Sequence, residues 1–351
     1  MTLLQKKLDK VKESLKGKKV VVAFSGGADS TLMAKLAYES ALEAVAVTVD
    51  NGVLPSDFIS IAEKIAATIG IRHEILRENF LEDQNFRSNP PQRCYICKNK
   101  MYTILVKYMK ENGYDEIVDG TNISDLLEDR PGIMVNYQKN ISTPLVYGGL
   151  TAGEVRTALK GYELKYSHST TCYATRIPSG TEITPQKIKR IEKAENVIKN
   201  ATGLEMVRVR DEDNQARIEV SDLDILLNKE NLTEINSELN ALKFKKVLID
   251  ITSYSNPDEE LVVYKPCRDE ANKIMIETEL PYQINIEETC QELEILGQVK
   301  CSTQMGVAMI ELEGSNVTIF KKGKLVARRV KDKESGQELM NKVLPLIRRV
   351  I

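Results

Sequence analysis

The stretch KKVVVAFSGGADSTLMAKLAYES, from Lys18 to Ser40, constrains the fold of this chain more than any other. An apolar run of strand length meets a turn with paired glycines, Ser25-Gly26-Gly27-Ala28-Asp29-Ser30, which opens directly into a helix-length segment. Two glycines let the backbone turn so tightly that successive N–H groups converge on one anion, and the following helix points its positive end at the same place. Ser25 and Ser30 add hydroxyl donors. The turn lacks the Gly-Lys-Ser/Thr of a Walker loop and the Gly-x-Gly-x-x-Gly of dinucleotide folds.

The segments that follow repeat the alternation: a strand over AVAVTVD, a helix from about Ser56 to Thr68, a strand over RHEIL, a helix from about Lys98 to Glu111, and a strand ending at Gly120-Thr121-Asn122. Short apolar runs alternating with amphipathic helices predict an α/β fold, a parallel sheet with helices on both faces. The texture changes near residue 185 to the β-rich MVRVRDEDNQARIEV and changes again near residue 270, where a strand meander and a final helix follow. Three units are expected, 1–185, 186–268 and 269–351, the last two smaller and α+β. The first nineteen residues lack the apolar core of a secretory signal, and no apolar run approaches the ~20 residues of a membrane span. The chain is read as cytoplasmic with no membrane partner. A net charge of −2 supplies no global basic field for nucleic acid.

In a parallel sheet the ligand sits beyond the carboxyl ends of the strands. Thr48, Asp50, Gly120, Thr121 and Asn122 fall there and join the glycine turn as candidate nucleotide contacts. Asp29 is a candidate for orienting Mg²⁺, or for capping its helix. Of six cysteines, Cys94 and Cys97 form a Cys-x-x-Cys pair on a proline-rich loop, and Cys172 stands in a loop rich in Ser and Thr. In a reducing compartment such a set points to metal, cluster or redox chemistry. Spacing alone leaves a 4Fe-4S cluster, a zinc site completed by His168, and a redox dithiol open. Cys267, Cys290 and Cys301 have no motif spacing and read as isolated small hydrophobes; His73 lies within a strand pattern.

SGGADS resembles the SGGxDS signature of the PP-loop ATP pyrophosphatases, whose domain has the adenine nucleotide alpha-hydrolase-like fold. NPPQRCYICK, DGTNISDLLEDRPG, CYATRIPSGTEIT and VRVRDEDNQARIEV, in that order, resemble the LarE family of ATP-dependent sulfur transferases over roughly residues 15 to 255. The resemblance implies ATP with Mg²⁺, adenylation of a carboxylate of pyridinium-3,5-biscarboxylic acid mononucleotide, and replacement of its oxygen by sulfur, for a nickel-pincer nucleotide cofactor. It also implies that Cys94, Cys97 and Cys172 hold a 4Fe-4S cluster with one iron open for a hydrosulfide from sulfide or another sulfur donor. In the other branch of that family the cysteine matched by Cys172 gives up its own sulfur. Arg176 matches an arginine beside that cysteine, suited to grip pyrophosphate or substrate phosphate. Asp125, Asp129 and Arg130 are implied substrate or metal contacts, and Arg208 and Arg210, alternating on one strand face, a phosphate site. Thr175 and Ser179 depart from the family's serine and aromatic, which places the pocket and its substrate in question. A homo-oligomer is expected. A PP-loop tRNA thiolase is the less favoured enzyme, supported by the basic run KKGKLVARRVK, and an ATP-binding iron-sulfur scaffold is the non-enzymatic alternative.

Overall fold

The structure, a computed structural model, describes residues 2–167, 171–252, 263–266 and 273–351. His168 and Cys267 lie outside the described residues. Four parallel strands, β1 Lys19–Ala23, β2 Glu43–Asp50, β3 Arg72–Arg77 and β4 Glu116–Val118, form a sheet in the order β3-β2-β1-β4. Alternation along β1 sorts its residues between two faces. Val20 and Val22 pack with the helices Leu3–Leu15, Ala28–Ser40, Phe58–Ile69 and Ala152–Gly161, while Val21 packs on the other side with the helix Arg93–Glu111. Both faces are therefore covered. The chain runs outward from β1 through β2 to β3 and then crosses back to β4, so the strand order reverses beside β1 and opens a crevice at the carboxyl ends there.

The helix Arg93–Glu111 begins five residues before the expected start at Lys98 and takes in both cysteines of the Cys-x-x-Cys pair. Pro90 and Pro91 pull a sequence reading toward loop, yet they stand outside the helix, where proline interrupts no hydrogen bond. Cys94 and Cys97 thus sit one turn apart on a rigid element and not on a loop.

The second sheet is β5 Val207–Glu212, β6 Gln215–Val220 and β7 Lys246–Ile249. Asp213 and Asn214 both have positive φ in the β5–β6 hairpin, as a tight two-residue turn requires. Helices Pro185–Thr202 and Lys229–Ala241 close over a core that includes Ile198, Val209, Ile218 and Phe244. The third sheet comprises β8 Val263–Pro266, β9 Ile274–Glu279, β10 Val299–Ser302, β11 Val307–Leu312, β12 Ser315–Phe320 and β13 Lys324–Val330, in the order β10-β11-β12-β13-β9-β8. Its first strand starts ahead of residue 269. The core of this module takes in Ile123, Leu126 and Val146 of the first domain, so the two are packed together. Cys290, on the helix Ile286–Leu293, is disulfide-bonded to Cys301 on β10. Those two cysteines are a pair rather than the isolated residues expected, because the chain turns back between helix and strand. No helix among the described residues is long and apolar enough to cross a membrane.

Candidate nucleotide and thiol site

The glycine turn folds as its sequence dictates. Gly26 has φ +72°, and a Cβ there would stand 3.3 Å from Ile65, so side chains are disfavoured twice over. The Ser30 hydroxyl lies 3.0 Å from that of Ser25, accepts from the Ser25 N–H at 3.2 Å and donates to the Gly27 carbonyl at 3.1 Å. The helix Ala28–Ser40 opens at this point. Gly120, after β4, is pressed against it: a Cβ would come within 2.7 Å of the Asp29 carbonyl carbon and 2.8 Å of the Ser30 nitrogen. Asn122 Nδ2 donates to Asp29 Oδ1 at 3.0 Å, and its backbone N–H donates to Asp125 in a reciprocal cap of the short helix Ile123–Leu127. Burial pushes the Asp29 carboxyl up to about 6, reinforced by the charge of Asp125 and opposed by Arg130 and Asn122. Gly26, Gly27, Ser25, Ser30, Asp29, Gly120, Asn122, Asp125 and Arg130 are thus one neighbourhood.

Two expected nucleotide contacts are turned inward. Thr48 is buried, its hydroxyl donating to the Phe24 carbonyl at 2.9 Å and meeting His73 Nε2 at 2.7 Å. Thr121 bonds to Asp119 through both its N–H and its hydroxyl, each at 2.9 Å. Asp119, buried at the end of β4, also accepts from Tyr102 at 2.7 Å, Asn136 at 2.9 Å and Lys98 at 3.2 Å. Burial alone would raise this carboxyl, but Lys98 and the donors around it outweigh burial and hold it below the ordinary carboxylate range. Asp50 accepts from the Gly52 N–H at 3.2 Å and remains at the strand end.

The thiols lie on the same sheet edge. Ser167 donates to the Gly26 carbonyl at 2.7 Å, and Tyr173 to the Val53 carbonyl at 2.9 Å, so the segment that carries Cys172 is tied to the glycine turn and to the loop after β2. Asn51, buried at the end of β2, donates to Cys97 Sγ at 3.6 Å. Arg93 reaches Cys94 Sγ at 3.5 Å, the Ala174 carbonyl at 3.0 Å and Asn89 at 2.6 Å. Asn89, fully buried with φ +56°, donates to three carbonyls between Ile177 and Thr181. The thiol helix and the Cys172 loop are thereby locked together. All three cysteines are free; burial drives the Cys97 thiol up to about 12, with Cys172 and Cys94 adding to the shift, and burial likewise raises Cys172. Among the described residues no set of three His, Cys, Asp or Glu side chains is placed to hold a metal ion.

The arginines expected to grip phosphate are engaged elsewhere. Arg176 is buried against Glu195 at 3.0 Å, with further bonds to the Cys172 carbonyl and to Thr171 and Thr175. It shapes the thiol loop and presents no free fork. Arg210 holds Glu219 with both arms and the Thr175 carbonyl at 3.1 Å, bracing the second module against the same loop, while Arg208 is buried on the same strand. Asp129 turns away from the glycine turn to Arg349 at 2.7 Å, and Arg130 pairs with Asp125 at 2.6 Å and Glu128 at 2.8 Å. Asn51, Asn89, Arg93, Lys98, Asp119 and Glu195 escape sequence reasoning; only Arg93 and Lys98, flanking the Cys-x-x-Cys pair, carry a signal of position.

Residues 1–135 match the PP-loop domain. Relatives above 30% identity include slr1717 of Synechocystis, 33% identical over 243 residues that cover 68% of this chain and 90% of that protein, and MJ0830 of Methanocaldococcus jannaschii, 32% identical over 245 residues that cover 70% and 94%. Pyridinium-3,5-bisthiocarboxylic acid mononucleotide synthase of Lactiplantibacillus plantarum is 26% identical over 260 residues, 72% of this chain and 93% of its own. With the glycine turn, the reversed strand order and the parallel sheet in agreement with these matches, the chain belongs to the PP-loop family of ATP-binding proteins.

Proposed function

We propose that this protein is an ATP-dependent sulfur transferase that adenylates a carboxylate, that of pyridinium-3,5-biscarboxylic acid mononucleotide, and replaces one carboxylate oxygen by sulfur. The observation that carries this reading is that three free thiols, Cys94, Cys97 and Cys172, stand on elements bonded to the sheet edge that holds the phosphate loop. The relative whose name specifies a bisthiocarboxylic acid product supports the acceptor.

The N–H groups after β1 and the start of the helix Ala28–Ser40 hold the pyrophosphate portion of Mg–ATP, so that a substrate carboxylate oxygen meets the α-phosphorus in line. That oxygen forms the new P–O bond while the bond to the bridging oxygen breaks, and pyrophosphate leaves with the charge. Asp29, oriented by Asn122 and with its charge offset by Arg130, would be the side chain that meets Mg²⁺. A hydrosulfide from an external donor then adds to the acyl carbon, AMP departs with the original oxygen, and the thiol proton is lost to solvent. Three cysteine thiols and no carboxylate are a donor set suited to iron-sulfur ligation, and Cys94, Cys97 and Cys172, deprotonated on binding, would be its ligands. A 4Fe-4S cluster, when bound there, supplies an iron site for exchangeable sulfide. Arg93, Asn89 and Arg176 keep the helix and loop that carry these thiols in register, and Asn51 directs a donor at Cys97.

Anaerobic purification with iron and sulfide quantitation tests the reading. We expect about four irons per wild-type chain, lost in each of Cys94→Ala, Cys97→Ala and Cys172→Ala. An iron-free wild type whose Cys172 loses sulfur mass after turnover would replace the cluster with a single-use cysteine.

A further inference from the structure

The 123–137 segment is held from outside by the end of the chain. Tyr282 donates to the Leu126 carbonyl at 2.8 Å, Arg349 pairs with Asp129 at 2.7 Å, and the Arg348 guanidinium lies 3.7 Å from the centre of the Tyr137 ring. Ile123 and Leu126 are buried in the core of the C-terminal module, and Asn341 fills the space where a Cβ on Gly149 would stand at 2.6 Å. On the inner side, Asn122 at the head of this segment bonds to both Asp29 and Asp125, and Arg130 carries a charge that acts on Asp29. One short stretch therefore touches the module on its outer side and the phosphate loop on its inner side.

Arg349 makes this contact more than packing. Its Nε and Nη1 are buried with no hydrogen-bond partner, and its compensation is the Asp129 carboxylate together with the Tyr282 ring at 4.7 Å. With two of its nitrogens desolvated, Arg349 draws its compensation from the exposed Asp129 carboxylate, so the pair favours this one position of the segment. Backbone contacts fix the arginine itself: Ile284 bridges to Arg349, and the Val350 N–H donates to the Gln283 carbonyl at 2.9 Å.

We propose that the C-terminal module is a clamp that sets the Asn122–Arg130 segment over the phosphate loop, with Arg349 as the positioning residue, and that it thereby tunes affinity for Mg–ATP. The proposal rests on the nucleotide site alone and is independent of the sulfur acceptor. The test is calorimetric titration of Mg–ATP into the full-length protein, so a failure of the sulfur-transfer reading leaves it standing. We expect Arg349→Met to weaken binding roughly 2- to 30-fold. Asp129→Asn should do the same, and the double variant should be no worse than either single one. Tyr282→Phe, which deletes only the bond to Leu126, should weaken binding in the same direction and keeps the test intact if Arg349→Met does not fold. Lys342→Ala, which breaks an ion pair with Glu313 inside the module, is the control and should leave affinity unchanged. A folded Arg349→Met or Tyr282→Phe protein with a lowered melting temperature and wild-type affinity would overturn the clamp, as would additive effects at 129 and 349.

Discussion

The hydrogen bonds among Ser25, Gly27 and Ser30 that turn the phosphate loop close within five positions of chain, with Asn122 and Ser167 adding one bond each from afar, whereas the thiol site is built throughout on bonds such as Arg93 to Ala174, 81 positions apart. The loop is built by glycine conformation and two serines, and its ligand groups are backbone N–H. The thiols are placed by Arg93, which touches Cys94, and by the buried side chains of Asn89, Arg176 and Glu195, which do not touch the proposed chemistry directly. The glycine turn should therefore survive damage to the packing around the thiols, and the thiol site should not.

The largest effect is expected from breaking the long-range half. Arg176→Met leaves Glu195 as an uncompensated buried carboxylate, which costs about 3–5 kcal/mol. Denaturant unfolding should read that loss, while Mg–ATP affinity at low temperature stays near the wild-type value. If affinity collapses in step with stability, the two halves are one cooperative unit and the contrast fails. Next comes the pH response of the phosphate loop. Asp29 has its carboxyl raised from 3.8 to about 6 by burial, so the folded state holds a proton that the unfolded state releases. This contribution is fully present below about pH 4 and is lost as pH rises through about 6, amounting to on the order of 3 kcal/mol. Asp29→Asn should remove the dependence, making the variant more stable than the wild type at pH 7.5 but not at pH 4. A stability difference that is flat across that range would mean that Asp29 is not desolvated in solution.

The same contrast explains what could be read in the chain beforehand. Val20–Val22, AVAVTVD and the glycine turn announce a parallel sheet because each signal is complete in a short window. The β5–β6 hairpin was legible for the same reason, its polar turn lying between two β-rich runs. The early start of the helix at Arg93 was hidden by two prolines that lie just outside it. Arg176 and Arg210 carry the residue type of a phosphate grip, but Glu195 meets Arg176 only once the second module is folded against the first, and Glu219 takes Arg210 across the β5–β6 hairpin. Nothing in the sequence pairs Arg349 with Asp129, since 220 positions separate them and both are common surface residues (349 − 129). Local signals encode elements; the choice between holding a ligand and holding the protein is made by tertiary contacts.

Thr48 gives the smallest and sharpest version of that choice. It stands at the carboxyl end of β2, where nucleotides bind in such sheets, and on position alone it belongs to the ligand. Its hydroxyl instead joins the Phe24 carbonyl to the ring of His73, whose pKa burial lowers. Because the hydroxyl donates to Phe24, the His73 Nε2 must be the protonated nitrogen that donates back to it. Thr48→Val keeps the shape of the side chain and removes both bonds, leaving a buried carbonyl and an imidazole N–H without a partner, at about 1–2 kcal/mol. Melting should shift downward while Mg–ATP affinity stays within about twofold, since a purely structural bond is all that is lost. A loss of affinity with unchanged stability would return Thr48 to the nucleotide and show that the residue's position at the strand end outranks its bonds within the sheet.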